Sequence, residues 1–369
     1  MARTPVLHLL DALLRGGAER LAVELAVRAD RERFDPAVAC FRQEAFADEL
    51  AAAGRQVHIV PKRRAFDLRL FIALVRLLRR EGVAIVHAHD LQSAIYGTMA
   101  AKWTRRPVLL TVHGVRIFQQ KRAATLLPRL ARWMDRVVFV GHWLERAAAE
   151  TYRVRPRHPA VVPNGADVQA FRPGPADPAI DAELSLPAGA PVIGTVGNLR
   201  PVKDYPCLVR AFARARARVP SAALLLVGDG TERPALEALV GELGLAQSVR
   251  FAGARTDVAR LLRRFDVFAL SSQTEGISVA VLEAMATGLP AVVTDTGGNP
   301  EVVVEGQTGH LVPVGDAERL GDALADLLAD PPRRRAWGQA ARARAEAEFS
   351  LDRMIRQYEG IYDELARRH

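Results

Sequence analysis

Two carboxylates, Glu275 and Glu283, stand eight residues apart in the stretch SSQTEGISVAVLEAMATG, residues 271–288. Glu275 follows a short apolar run and has Gly276 beside it, and a helix is expected to begin near Ser278. Eight residues are about two helical turns, so a carboxylate is expected at each end of one segment. Backbone N–H groups at a helix start bind anions or hydroxyl oxygens. A carboxylate beside them can accept hydrogen bonds from sugar hydroxyls, while the second reaches a ribose diol. The plainer reading makes Glu275 a loop charge and Glu283 part of a solvated face. The apolar residues 279–285 around Glu283 weigh against it.

Other residues suit the same kind of ligand. The stretch GNLRPVKD, 197–204, places Arg200 and Lys203 at the end of an expected strand, where cations can neutralise a diphosphate leaving group. A solvated basic loop is the alternative. Gly16 and Gly17 in LRGGAER, 14–20, join a strand to a helix; two glycines permit positive φ and a close backbone approach, although a plain tight turn also explains them. His113 follows the run 108–112 and precedes Gly114, so its ring is expected to face a ligand crevice rather than the core. His87 and His89 share one strand face by alternation. With no third ligand near them in sequence, they are expected to be satisfied structural histidines rather than a metal site. No dinucleotide fingerprint is present: after Gly228 and Gly230, Arg233 stands where the third glycine belongs, which disfavours a nicotinamide dehydrogenase. Cys40 and Cys207 lack ligand-spaced neighbours and read as small buried hydrophobes.

The elements that must position these residues are legible from periodicity. Apolar, β-branched runs are expected as strands at 6–10, 37–41, 57–60, 83–87, 108–112, 137–140 and 160–162 in the first half. In the second half they fall at 192–196, 223–227, 249–251, 267–270, 291–294 and 310–312. Helical patterns separate them; residues 67–80, for instance, carry Leu70, Phe71, Leu74, Leu77 and Leu78 at helical spacing. Continuous apolar strands alternating with helices indicate parallel sheets covered on both faces, and two such runs indicate an α/β chain of two doubly wound domains. Residues 162–191 contain six prolines and three glycines without sustained periodicity, which is linker chemistry, in part ordered. The expected division is 1–170, 171–349 and a last helix over 350–369. Ser350 is a plausible cap for that helix, and its apolar positions are Leu351, Met354, Ile355, Tyr358, Ile361, Tyr362 and Leu365.

Length and composition agree with this plan. A chain of 369 residues suits two domains, and 49% hydrophobic with 25% charged residues excludes a disordered or fibrous chain. No apolar run approaches the roughly 18 residues of a membrane span, and Asp11 ends the N-terminal apolar stretch too early for a signal peptide. A soluble, cytoplasmic protein is expected. The net charge of +9 is uneven: residues 1–170 carry 28 Lys and Arg against 16 Asp and Glu, while residues 171–369 carry 23 against 26. A basic first half can steer polyanions or rest on an anionic membrane. Only four of the 51 basic residues are lysine, so a bias towards arginine is a competing explanation.

Five motifs fall in one order: GGAE at 16–19, TVHG at 111–114, VPNGAD at 162–167, GNLRPVKD at 197–204 and EGISVAVLE at 275–283. Together they resemble the retaining nucleotide-sugar glycosyltransferases of family 4, which have the GT-B fold, and the resemblance spans essentially the whole chain. It looks strongest to bacterial exopolysaccharide and lipid-linked glycan enzymes. It implies two Rossmann-like domains facing across a cleft, with the last helix crossing back to the first. Glu275 and the backbone of Gly276, Ile277 and Ser278 would then hold the donor sugar's hydroxyls, Glu283 the ribose, and Lys203 the diphosphate. Many members have arginine where this chain has Asn198, and Arg200 would take over that phosphate contact. His113 would touch the donor sugar near the reacting centre, and Gly16 and Gly17 would let the backbone close over it.

The resemblance further implies no metal and no cofactor beyond the nucleotide-sugar substrate, in keeping with the lack of a DxD motif. Retention would come from attack on the face from which the diphosphate departs, so Glu275 and Glu283 are not a glycosidase pair. The acceptor would be a glycan or a polyprenyl-linked sugar. Basic clusters at 62–64, 79–80, 105–106 and 121–122, beside Phe66, Trp103 and Phe118, suggest that it is met at the anionic inner face of the plasma membrane. Nucleic acid is not expected as a partner. The competing readings are a sugar-nucleotide 2-epimerase of the same fold and an inactive scaffold of a glycan assembly complex.

Overall fold

A computed structural model describes residues 3–13, 16–44, 46–64, 66–120, 123–187 and 189–368. Leu14, Arg15, Lys121 and Arg122, which belong to motifs discussed above, lie outside the described residues. The chain divides into two compact units: Met1–Asn164 together with Arg353–His369, and Gly165–Asp352.

The first unit holds strands β1 (Thr4–Leu13), β2 (Phe34–Glu44), β3 (Val57–Ile59), β4 (Ile85–Ala88), β5 (Val108–Val112), β6 (Arg136–Phe139) and β7 (Pro159–Val161). They form one sheet in the order β3-β2-β1-β4-β5-β6-β7, with every pairing parallel. Strands β1 and β2 run well beyond the expected 6–10 and 37–41, because their ladder continues from Thr4 opposite Phe34 to Leu13 opposite Glu44. Polar residues at their ends dilute the apolar signal without breaking the backbone pairing.

The helix Leu68–Arg80 buries Leu70, Leu74, Leu77 and Leu78, and Asp67 caps it by accepting from the N–H groups of Arg69 and Leu70. The last helix, Leu351–Arg368, joins the first unit from Arg353 onward. Its seven apolar positions are all buried, as their spacing requires. Glu359 on its flank accepts the backbone N–H of Asp30 at 2.8 Å and pairs with Arg33.

The second unit holds β8 (Val192–Val196), β9 (Ala223–Val227), β10 (Val249–Gly253), β11 (Val267–Leu270), β12 (Ala291–Thr294) and β13 (Gly309–Val312). The order is β10-β9-β8-β11-β12-β13, again parallel throughout. The chain moves outward from β8 to β10 and returns to β11 on the other side of β8. That reversal opens the ligand crevice of a doubly wound sheet at the carboxyl ends of β8 and β11. In the first unit the same reversal lies between β1 and β4.

The first unit ends at Asn164, ahead of the expected 170. The reason is backbone pairing: Ala166 bridges Ser350, its N–H donates to Phe349 and its carbonyl accepts from Leu351 at 2.8 Å. From Gly165 onward the proline-rich segment belongs to the second unit. Its short helix Ala179–Glu183 is pinned by ion pairs from Asp177 and Glu183 to Arg260, and from Asp181 to Arg264.

Candidate active site

Glu275 lies in the loop between β11 and the helix Val279–Ala286, for which Ser278 is the N-cap residue. Its Oε1 accepts from Lys203 Nζ at 2.5 Å and from Ser272 Oγ at 2.6 Å. The Lys203 and Glu275 side chains are 22% and 12% exposed. They are therefore within reach of a ligand, yet less screened by water than a surface ion pair. Lys203 closes the short 3-10 turn Pro201–Lys203 at the end of the β8 loop. Ser271 Oγ binds that loop by donating to the carbonyls of Lys203 and Asp204, both at 2.9 Å, and the Gln273 N–H donates to Val202.

A third loop, after β12, completes the frame. Thr294 Oγ1 donates to the Ser272 carbonyl at 2.7 Å, and the Gly298 N–H donates to the Gly276 carbonyl at 3.0 Å. Gly297 has φ +60°, and a Cβ there would run into the Glu275 carbonyl, so only glycine fits. Three strand-end loops thus fix the Glu275 backbone while its carboxylate faces Lys203.

Glu283 departs from expectation. The helix begins at Val279, so Glu283 stands in its second turn, half-buried, rather than at the far end of a two-turn segment. The N–H groups of the first turn are left over by helix geometry, and the Ser278 side chain caps none of them. Asn198 and Arg200 are exposed on the β8 loop, and Ile277 is buried.

In the first unit, Gly16 is extended at φ −147° and Gly17 opens the helix Gly17–Arg28, so neither uses the left-handed freedom expected of it. A Cβ at Gly16 would meet only the end of the Glu19 side chain, which can turn away.

His113 follows β5, half-buried, and belongs to a network that reaches across the sheet. His8 on β1 is the ladder partner of His87 on β4, which brings their rings to one face. His113 Nε2 lies 3.2 Å from His89 Nδ1, and His89 Nε2 lies 3.1 Å from His8 Nδ1. His87 bonds the Tyr362 hydroxyl through Nδ1 and Thr111 Oγ1 through Nε2, both at 2.8 Å; Thr111 in turn meets the Tyr358 hydroxyl at 3.0 Å. Burial holds the pKa of His8 down to about 3 and of His113 to about 4, and those of His87 and His89 well below the ordinary value. All four rings are neutral at pH 7.

The third imidazole that the HxH pair lacked in sequence is therefore His8. The rings of His8, His87 and His89 bring ligand atoms within 4.8 Å of one another. They do not fit a metal ion. His87 and His89 stack with centroids 4.1 Å apart. Lone pairs of stacked rings lie in parallel planes and do not converge on one point. Both nitrogens of His87 are already taken by hydroxyls. Both nitrogens of His89 are likewise taken, by His8 and His113.

Sequence reasoning missed Ser272, Gly297 and His8. For Ser272 the nearest hint is its position three residues before Glu275. For His8 there is none, because its relation to His87 is a matter of strand register.

Comparison with known proteins follows the same division. The model described as Glycosyltransferase Family 4 matches residues 15–170, and that described as Glycosyl transferases group 1 matches residues 177–344. The N-acetyl-alpha-D-glucosaminyl L-malate synthase of Bacillus anthracis is 31% identical over 318 residues, covering 82% of this chain and 80% of its own. This chain belongs to glycosyltransferase family 4. A second relative of this family 4 glycosyltransferase is the UDP-Gal:alpha-D-GlcNAc-diphosphoundecaprenol alpha-1,3-galactosyltransferase of Escherichia coli, 26% identical and covering 89% of each chain. Anabaena Alr3699/HepE, solved in complex with UDP, superposes with a TM-score of 0.87 at 23% identity over 98% of this chain and 100% of that one. The expected GT-B fold is thereby borne out.

Proposed function

We propose that this glycosyltransferase transfers a sugar, with retention, from a nucleoside diphosphate sugar to a lipid-linked or glycan acceptor. The observation that carries the proposal is the Lys203–Glu275–Ser272 cluster at the carboxyl ends of β8 and β11. A cation and a carboxylate are held together where a doubly wound sheet binds ligands. In this reading the diphosphate takes Lys203, with Arg200 as a second cation in place of the arginine common at position 198. Glu275, released from Lys203, accepts hydrogen bonds from the sugar hydroxyls. The N–H groups of the helix that starts after Ser278 add positive potential, and Glu283 serves the ribose. His113 is assigned to the donor sugar by the family resemblance.

The chemistry is then simple to balance. The bond from the anomeric carbon to the diphosphate oxygen breaks, and charge grows on the leaving phosphate, where Lys203 and Arg200 stabilise it. The acceptor hydroxyl bonds to the anomeric carbon on the same face and gives its proton to the leaving phosphate. Incubation with a panel of nucleotide sugars, with the anomeric configuration of the product read by NMR, tests this. Inversion would end the retaining mechanism, and no consumption of any donor would end the transferase reading.

The acceptor is proposed to be met at an anionic lipid surface. Phe66, Leu68 and Trp103 are between 58% and 67% exposed, and Ile72, one turn beyond Leu68, is also exposed. Exposed Arg63, Arg64, Arg69, Arg76 and Arg79 flank them, and the edge contact of Phe71 with Trp103 sets the helix Leu68–Arg80 beside the helix Leu91–Trp103. Basic residues near such a surface add about 1 kcal/mol each. Two expected contributors drop out: Lys62 donates to Gln92 at 2.5 Å beneath the surface, and Phe118 is buried against Tyr152. Among the described residues no helix is long and apolar enough to cross a membrane. The relative from Escherichia coli is named for a diphosphoundecaprenol-linked acceptor, and one from Mycolicibacterium smegmatis for a phosphatidylinositol mannoside, which supports this choice.

A further inference from the structure

The helices Arg116–Gln119 and Ala123–Trp133, with the turn after the helix His142–Glu150, frame a cavity of about 530 Å³ within the first unit. The transfer reaction set out above does not use it. Its walls include Phe118, Ala123, Pro128, Tyr152 and Val154. The rings of Phe118 and Tyr152 stack with centroids 4.6 Å apart, and Phe118, Ala123 and Val154 are at most 4% exposed. A sugar placed against these walls would leave hydroxyls without partners, whereas a hydrocarbon chain gains by leaving water. The size is that of an ordinary ligand site. The first of these helices leaves the carboxyl end of β5, the end at which parallel sheets take ligands.

Arg129 and Arg153 line the same cavity, and both are exposed. Neither has a carboxylate partner: Arg129 donates to the Thr125 carbonyl at 3.3 Å, and Arg153 has no hydrogen bond or ion pair among the described residues. Arg132, Arg155 and Arg157 are exposed and unpaired as well. In the second unit, by contrast, Arg255, Arg260 and Arg264 are all matched to carboxylates. Arg153 also has φ +55°, in the left-handed region that glycine adopts without steric cost. An arginine at that turn sets a guanidinium on the cavity at the expense of backbone strain. Two guanidinium forks without counter-charges beside an apolar cavity complement an anionic amphiphile. A diphosphate offers oxygens to both forks, whereas the phosphodiester of a bilayer lipid brings a single charge.

We propose that this cavity binds the isoprenoid chain of a polyprenyl diphosphate-linked acceptor, with Arg129 and Arg153 holding its diphosphate. The proposal rests on the reading of the acceptor as lipid-linked. It adds the chemical class of the lipid and a site for it that lies wholly within the first unit.

Isothermal titration of the full chain with farnesyl diphosphate, a water-soluble prenyl diphosphate, is expected to show one site. Farnesol and inorganic diphosphate each carry half of that ligand and should bind at least about tenfold more weakly. Arg129→Gln and Arg153→Gly should each weaken farnesyl diphosphate about tenfold or more, as loss of a charged hydrogen-bond partner does. Arg153→Gly also relieves the positive φ, so its thermal midpoint should not fall, which separates a binding role from a structural one. Ala124→Trp fills the cavity from an exposed helical position and should abolish binding. Inorganic diphosphate or farnesol binding as tightly as farnesyl diphosphate overturns the proposal, as do variants that bind like wild type. So does a chain that ignores farnesyl diphosphate yet needs Arg129 and Arg153 to sediment with anionic vesicles, since those arginines would then serve the bilayer. Transfer from a nucleotide sugar to a soluble glycan needs no such site. If it proceeds without farnesyl diphosphate binding, the cavity proposal falls and the transferase reading stands. If farnesyl diphosphate binds as expected and no nucleotide sugar is consumed, the site stands and the transferase reading falls.

Discussion

Glu275 is held twice over in the ligand-free chain: its carboxylate by Lys203 and Ser272, its backbone by the glycines after β12. Such a group is already oriented before the donor arrives, and an oriented charge acts most strongly on the transition state. Glu275→Ala is expected to lower transfer at least about a hundredfold, since one preorganised hydrogen-bonding group contributes on the order of 3 kcal/mol. Near-normal turnover in the folded variant would contradict its assignment to the donor site. The same variant leaves Lys203 without its carboxylate partner, so the loss should appear in kcat more than in diphosphate binding.

At the scale of elements, the last helix does the most. It covers the polar face formed by His87 and Thr111 with Tyr362 and Tyr358, and its Leu365 is wholly buried. Leu365→Ala should destabilise the first unit by about 2–5 kcal/mol, the usual cost of emptying such a site. A denaturation midpoint equal to wild type would show that the helix is not integral to that unit. The helix Leu68–Arg80 works outward instead. With Leu68 and Ile72 exposed and arginines along the same side, Ile72→Glu and Trp103→Glu together should abolish binding to anionic vesicles at low salt while leaving stability within about 0.5 kcal/mol, as surface changes do. Equal sedimentation of wild type and variant would remove the membrane surface from the proposal.

For the molecule as a whole, the buried histidines set a dependence on pH. In the unfolded chain they protonate near pH 6.5, whereas in the fold His113 stays neutral to about 4 and His8 to about 3. The stability they contribute is therefore present above pH 6.5 and lost as the pH falls below it. Each adds about 1.4 kcal/mol per pH unit to the slope. Asp90 acts in the opposite direction: burial raises its pKa from 3.8 to about 6, so within that interval acid favours the fold. Four histidines outweigh one aspartate, and the urea midpoint at pH 5 should lie well below that at pH 7. Equal midpoints would mean that the histidines gain protons in the folded state. Transfer should also survive EDTA, because Lys203 and Arg200 supply the charge that a divalent ion would otherwise bring to the diphosphate. Loss of activity on chelation, restored by a divalent cation, would contradict that.

Much of this protein was legible along the chain. Alternating apolar strands and helical patterns dictated two parallel sheets, because buried strands must be apolar on both faces and their crossovers need helices. The last helix could be read to the residue, since seven apolar side chains at helical spacing leave only one face to bury. The candidate donor residues after β8 and β11 were visible as motifs because each is a short, local segment. Three matters belonged to tertiary structure. The union of Lys203 with Glu275 depends on β8 and β11 being neighbours, which sheet order decides and periodicity does not. The partition at Asn164 arises from the pairing of Ala166 with Ser350, residues distant in sequence. The histidine row exists because the register of β1 against β4 sets His8 opposite His87. Strand register is a relation between segments, fixed by the packing of both faces at once, and no local pattern in either strand contains it.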